Sequence, residues 1–194
     1  GRAARDALRR YGVDMRAMAF TQGRMGLYFH TCGAGHRPSE VLYDRAESAF
    51  ALATPEQYQW PALLAGKQLL HLSGITPALG AQSAQAALDA ARAARAAGAW
   101  VSFDGNYRAR LWAAWDGNPR LLLRQLFEQA DIAFADHRDI ELVLGVQFAD
   151  EQDPIARFQH AAAAAFAAFP QLQRIAATQR IATRVDHHRL GAML

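Results

Sequence analysis

The chain has 194 residues, 52% hydrophobic and 20% charged, the make-up of one globular domain and not of a disordered polypeptide. Its net charge of +3 comes from 21 Lys and Arg, all arginine except Lys67, spread without a dense stripe, so no nucleic-acid partner is predicted. No apolar run reaches the roughly 18 residues of a membrane span, and the first 20 residues carry Arg and Asp throughout, unlike a signal peptide. The one cysteine, Cys32, closes no intrachain disulfide and builds no cysteine zinc site. These features predict a reducing, cytoplasmic setting and no membrane partner.

Residues 2–11 have helix-forming content and run into Gly12, a natural stop. Residues 17–55 differ in texture. Short apolar-aromatic pieces, Gly26–His30 and Val41–Tyr43, flank Gly33-Ala34-Gly35-His36-Arg37-Pro38, which predicts a small β hairpin with a turn at the glycines. From residue 67 strands and helices alternate. Strands are predicted at 68–72, 99–103, 131–135 and 174–178. Helices are predicted at 82–97, 119–130, 137–144 and 154–168, with Asp153 as cap and Pro154 in the first turn. Alternation at this spacing means βαβ units, hence an α/β fold with a parallel sheet. The adjacent His187 and His188 read as surface residues. The chain starts at Gly1 and stops on the apolar stretch 189–194, so it is expected to be part of a longer protein.

Parallel sheets bind ligands at the carboxyl ends of their strands. Those ends deliver Ser73, Gly74, Ile75 and Thr76; then Asp104, Gly105, Asn106, Tyr107 and Arg108; then Asp136, His137, Arg138 and Asp139; then Thr178, Gln179 and Arg180. Such an edge suits anions and hydroxyls. The plain structural alternative is that strand ends are polar because loops meet water, and that Asp136 simply caps helix 137–144. Asp104-x-Asn106-x-Arg108 goes further: it places a carboxylate, an amide and a guanidinium fork directly after a buried strand, and such a fork matches carboxylate or phosphate. No G-x-G-x-x-G follows a strand, and neither a G-x-x-x-x-G-K-[ST] loop nor a G-x-S-x-G elbow occurs, which disfavours nicotinamide binding, a P-loop and an α/β-hydrolase.

Three runs carry a resemblance. Leu72-Ser73-Gly74-Ile75-Thr76-Pro77-Ala78-Leu79, Phe103-Asp104-Gly105-Asn106-Tyr107-Arg108 with Leu111-Trp112, and Ala130–Asp136 with Glu141, Leu142, Leu144 and Gly145 resemble the ribokinase/PfkB carbohydrate kinase family, in its 2-keto-3-deoxygluconate (KDG) kinase branch. Ile175-Ala176-Ala177-Thr178-x-Arg180 is similar to that family's nucleotide-side strand. The resemblance implies a ribokinase-like parallel-sheet α/β sandwich, partial here, with residues 1–16 and 56–194 as core and 17–55 as a β lid. It implies ATP-dependent phosphorylation of KDG with Mg²⁺, and a homo-oligomer paired through the lid. It places Tyr28, Tyr43, Arg45 and Ile75 on the sugar acid, Arg108 on the substrate carboxylate or the transferred phosphoryl group, and Asn106, Asp136, Thr178 and Arg180 on the nucleotide.

Two departures stand out. Where the family often has N-x-x-E, this chain has Asp136-His137-Arg138-Asp139, so no metal ligand is assigned. The family's G-A-G-D loop, which carries the general base, occurs nowhere in the 194 residues, and the N-terminal strand is expected to be missing as well. The remaining alternatives are another PfkB sugar kinase, such as a fructokinase or ribokinase, and a non-catalytic sugar-acid-binding module.

Overall fold

The computed structural model describes residues 1–34, 37–148, 152–182, 184 and 187–194. Helix α1 (Arg2–Arg9) precedes an antiparallel hairpin, β1 (Leu27–Thr31) and β2 (Glu40–Asp44). There follow α2 (Trp60–Leu64), β3 (Leu69–Ser73), α3 (Ala81–Ala96), β4 (Trp100–Asp104), α4 (Ala109–Trp112), α5 (Pro119–Phe127), β5 (Ile132–Phe134), α6 (His137–Leu144), α7 (Pro154–Ala168), β6 (Arg174–Ala182) and β7 (His188–Met193). The larger sheet has the order β3-β4-β5-β6-β7, parallel from β3 to β6 and antiparallel at β7. This is an α/β architecture with a mostly parallel five-stranded sheet and a small separate antiparallel sheet. Among the described residues no helix is long and apolar enough to cross a membrane.

The helix boundaries follow from local chemistry. Asn118 Oδ1 accepts the Leu121 N–H (3.0 Å) and Pro119 occupies the first turn of α5. Asp153 and Pro154 open α7 in the same way. Asp136 caps α6, the Asp139 side chain reaches back to complete a capping box, and Gly145 ends the helix in a left-handed conformation (φ 69°). Ten of the 16 residues of helix α3 are Ala or Ser. Ala84, Ala87, Ala91 and Ala94 are buried, and their size lets the helix pack closely on β3 and β4.

One face of the large sheet carries the core. Val101, Phe103, Ala133, Ile175 and Ala177 form a single buried cluster with residues of α3, α5, α6 and α7. Phe127 stands edge-on to Phe103 (5.2 Å between centroids) and stacks on Phe169 (5.5 Å). Each fully buried aromatic of this kind contributes roughly 1.5–3 kcal/mol through the water it sheds. Buried Asp131 accepts the Val101 N–H (2.8 Å) and an Arg95 N–H (3.2 Å), locking the start of β5 to β4. The opposite face presents Leu69, Trp100 and Phe134, all partly exposed.

The hairpin is different. Every residue of β1 is exposed, and β2 is exposed up to half-buried Asp44. Arg24 ties its base together through an ion pair with Asp44 and a bond to the Ala46 carbonyl. The expected glycine turn closes with reciprocal backbone bonds between Ala34 and Arg37 (3.0 Å each); Gly35 and His36 lie outside the described residues.

The structure departs from the sequence reading at several ends. The first helix stops at Arg9 and the fifth at Phe127. Short helices α2 and α4 were not expected. The apolar tail is the strand β7, and its ladder extends β6 to Ala182, so Thr178 and Arg180 lie within a strand and not after one. His188 is correspondingly part-buried in β7, with Nε2 2.9 Å from Arg180 Nη2, and is no free surface residue.

Candidate active-site groove

Two glycines bring the strand ends together. The Gly74 N–H donates to the Asp104 carbonyl (2.7 Å), and a Cβ on Gly74 would lie 1.9 Å from the Gly105 carbonyl oxygen. The Gly105 N–H donates to the Phe134 carbonyl (2.9 Å), and a Cβ there would meet the Asp139 carboxyl at 2.9 Å. Small residues at these two points are what allow β3, β4, β5 and the first turn of α6 to converge.

They converge on a groove of about 610 Å³ at the carboxyl ends of β4 and β5 and along β6. Asn106 stands at its edge in a left-handed conformation (φ 41°), which asparagine tolerates better than most residues. Its amide donates to Ser73 Oγ (3.2 Å), which also accepts the Ile75 N–H (3.3 Å). Three guanidinium groups, Arg108, Arg138 and Arg180, line the groove, as do three carboxyls, Asp104, Asp136 and Asp139. Thr178 adds a hydroxyl from β6.

The carboxyls are not equivalent. Burial pushes Asp139 up to about 6, with the charges of Asp136 and Asp104 adding to the effect. Burial also raises Asp104, against the pull of His71 and Arg108. Burial pushes Asp136 the same way, but the Arg138 guanidinium and two backbone N–H groups outweigh it and hold its carboxyl below the usual range. The groove therefore pairs a carboxyl held below the usual range with one raised to about 6.

Of the residues singled out in the sequence, the groove unites Arg108, Asn106, Asp136, Thr178 and Arg180. It does not include Tyr28, Tyr43, Arg45 or Ile75. Ile75 follows β3, the edge strand, while the groove is centred on β4, β5 and β6. The hairpin residues form a cluster of their own: Tyr28 and Tyr43 are register partners 6.5 Å apart, and the Arg45 guanidinium lies 4.6 Å over the Tyr43 ring. These side chains are not among those lining the groove, and the base of the hairpin is held by the Arg24–Asp44 ion pair. Asp104, Arg138 and Asp139 belong to the groove though the sequence reading left them unassigned. The signal for the last two was their place in the first turn of a helix whose cap was already recognised.

A family model described as pfkB family carbohydrate kinase matches residues 1–167. A 2-dehydro-3-deoxygalactonokinase of Haloferax volcanii is 33% identical over 144 residues, covering 74% of this chain and 44% of the relative. A 2-dehydro-3-deoxygluconokinase of Escherichia coli K12 is 33% identical over 159 residues, 80% of this chain and 50% of the relative. The crystal structure of a 2-dehydro-3-deoxygluconokinase from Thermotoga maritima superposes with a TM-score of 0.87 at 33% identity, over 98% of this chain and 56% of that one. The chain spans about half the length of the curated relatives it matches. With the model match running over residues 1–167 and the groove at the strand ends, the chain belongs to the pfkB family of carbohydrate kinases.

Proposed function

We propose that this chain carries the nucleotide side, and part of the sugar side, of an ATP-dependent kinase that phosphorylates KDG to its 6-phosphate. The observation that carries the reading is the convergence of Arg108, Arg138, Arg180, Asn106 and Thr178 on one groove at the carboxyl edge of a parallel sheet. Phosphoryl transfer asks a protein mainly to position two substrates and to neutralise the charge on the moving group. Guanidinium forks and amide and hydroxyl donors supply both.

In this reading Arg108 approaches the transferred phosphoryl group or the substrate carboxylate. Asn106, Asp136, Thr178 and Arg180 surround the nucleotide. Tyr28, Tyr43 and Arg45 meet the sugar acid from the lid, whose closing would expel the water that competes as acceptor. Ile75 borders the sugar through its backbone. The exposed Leu27, Phe29 and Leu42 on the hairpin support pairing of two lids in a homo-oligomer.

Mg²⁺ usually binds through one or two carboxylates together with phosphate oxygens. The groove fits that pattern: Asp104 and Asp139 line it, neither ion-paired among the described residues, and would hold a cation brought in with the nucleotide. Bound there, the cation would neutralise charge on the phosphate oxygens. Among the described residues no group of three His, Cys, Asp or Glu forms a metal cage. No G-A-G-D base is present in the 194 residues, so what these residues contribute is binding and charge neutralisation.

The likeness to the Haloferax volcanii galactonokinase supports a second reading, in which the substrate is the galactose-derived epimer. The test is ADP release by the complete gene product with KDG and with that epimer side by side. Turnover of one or both is expected. Turnover of ribose or fructose with neither sugar acid consumed would overturn the substrate assignment.

A further inference from the structure

The three groove cations are held differently. Arg108 Nη1 donates to the Tyr107 carbonyl beside it (2.9 Å), and Arg180 lies against His188. Neither forms an ion pair with a carboxylate among the described residues. Arg138 does: its Nε (2.9 Å) and Nη2 both donate to Asp136 Oδ2. The other oxygen, Oδ1, accepts the Arg138 N–H (2.8 Å) and the Asp139 N–H (3.3 Å). Asp136 thus collects two backbone N–H groups and a guanidinium fork, the same donors that a phosphate group attracts. The two partners differ in freedom. The Arg138 side chain is 77% exposed and long, whereas Asp136 is 25% exposed and fixed by the cap.

Resting on the kinase reading above, we infer that Asp136 is an internal stand-in for phosphate, holding Arg138 at the groove wall and yielding it to a phosphate of the bound nucleotide. An ion pair with one exposed partner is weak. A di- or triphosphate offers more charge and more acceptor oxygens within the same groove, so the fork transfers. Arg138 then becomes a nucleotide-binding residue, and Asp136 sets the threshold at which it engages. The ligand class is a phosphate-bearing nucleotide; the bare nucleoside has nothing to offer the fork.

Asp136→Asn separates the two duties of the aspartate. Asparagine caps a helix about as well as aspartate, so α6 keeps its start while the charge holding Arg138 disappears. ADP and adenosine are titrated calorimetrically, in metal-free buffer, into the complete gene product as wild type, Asp136→Asn, Arg138→Gln and the double variant. ADP is expected to bind about three- to fivefold more tightly to Asp136→Asn and weaker by a similar factor to Arg138→Gln. The double variant is expected to match Arg138→Gln, and adenosine to bind all four alike. An unchanged or weakened ADP affinity in Asp136→Asn overturns the inference. So does an equal gain in the Arg138→Gln background, which would mean relief of repulsion and not release of Arg138. Sugar-acid turnover by the same wild-type protein separates this failure from that of the kinase reading, since a protein that neither turns over nor binds ADP sinks both.

Discussion

Asp104, Asp136 and Thr178 each follow directly on a buried residue, Phe103, Ala135 and Ala177 respectively, whereas Tyr28 and Tyr43 sit on strands with no buried residue. The groove side chains are therefore aimed by the core: moving any of them disturbs the buried cluster that the sheet forms with residues of α3, α5, α6 and α7. The hairpin side chains are aimed by cross-strand pairing and an exposed Arg24–Asp44 ion pair. A two-stranded ribbon held in that way is marginal by itself. One half of the proposed site is anchored to the buried core, and the other is held by its own strand pairing and an exposed ion pair.

The sharpest way to break this comparison is to truncate the core beneath the groove. Phe103→Ala is expected to cost about 3–5 kcal/mol in denaturant unfolding, since Phe103 is fully buried against Phe127. Arg108→Ala should leave the melting temperature unchanged and lower kcat/KM for the sugar acid about 100- to 1000-fold, the usual loss when a group that stabilises transition-state charge is removed. Unchanged kinetics would remove Arg108 from the mechanism. Gly74→Ala drives a methyl group into the Gly105 carbonyl and should cost about 1–3 kcal/mol while also weakening nucleotide binding, because the strand ends must part.

A smaller effect concerns pH. Asp139 is raised in the folded chain to about 6 from an ordinary 3.8, so its protonated form favours folding. That contribution is complete below about pH 4 and is lost as pH rises through about 6. Asp139→Asn should flatten the stability profile over this window and gain on the order of 1–2 kcal/mol near neutrality, read from unfolding midpoints across pH. The least effect is expected on the hairpin: Phe29→Ala should change stability by less than about 0.5 kcal/mol. A loss comparable to that of Phe103→Ala would show that the hairpin packs far more firmly than its exposure indicates.

Much of the sheet edge was legible before the structure, because its signals are local. Asp136 and Gly145 mark the two ends of α6, Asp153 and Pro154 the start of α7, and Pro119 the start of α5. The polar residues after Phe103 and Ala135 fall where a parallel sheet puts its ligands. What stayed hidden depends on distant partners. Leu190, Gly191 and Ala192 have weak strand character, and β7 exists because β6 offers it a ladder. Arg138 and Asp139 sit on the groove because Gly105 has no side chain to keep α6 away. The reach of Tyr28, Tyr43 and Arg45 toward the groove was inferred from family likeness, and a hairpin with no buried residue carries no sequence signal for its own orientation.

Hydrogen exchange of the complete gene product with and without ADP tests most directly where the nucleotide sits. Protection is expected over residues 104–108, 136–139 and 176–180, with little change over the hairpin 27–44. Protection confined to residues 18–26 and 49–58, with the strand ends of β4 and β5 unaffected, would contradict the placement of the nucleotide in the groove.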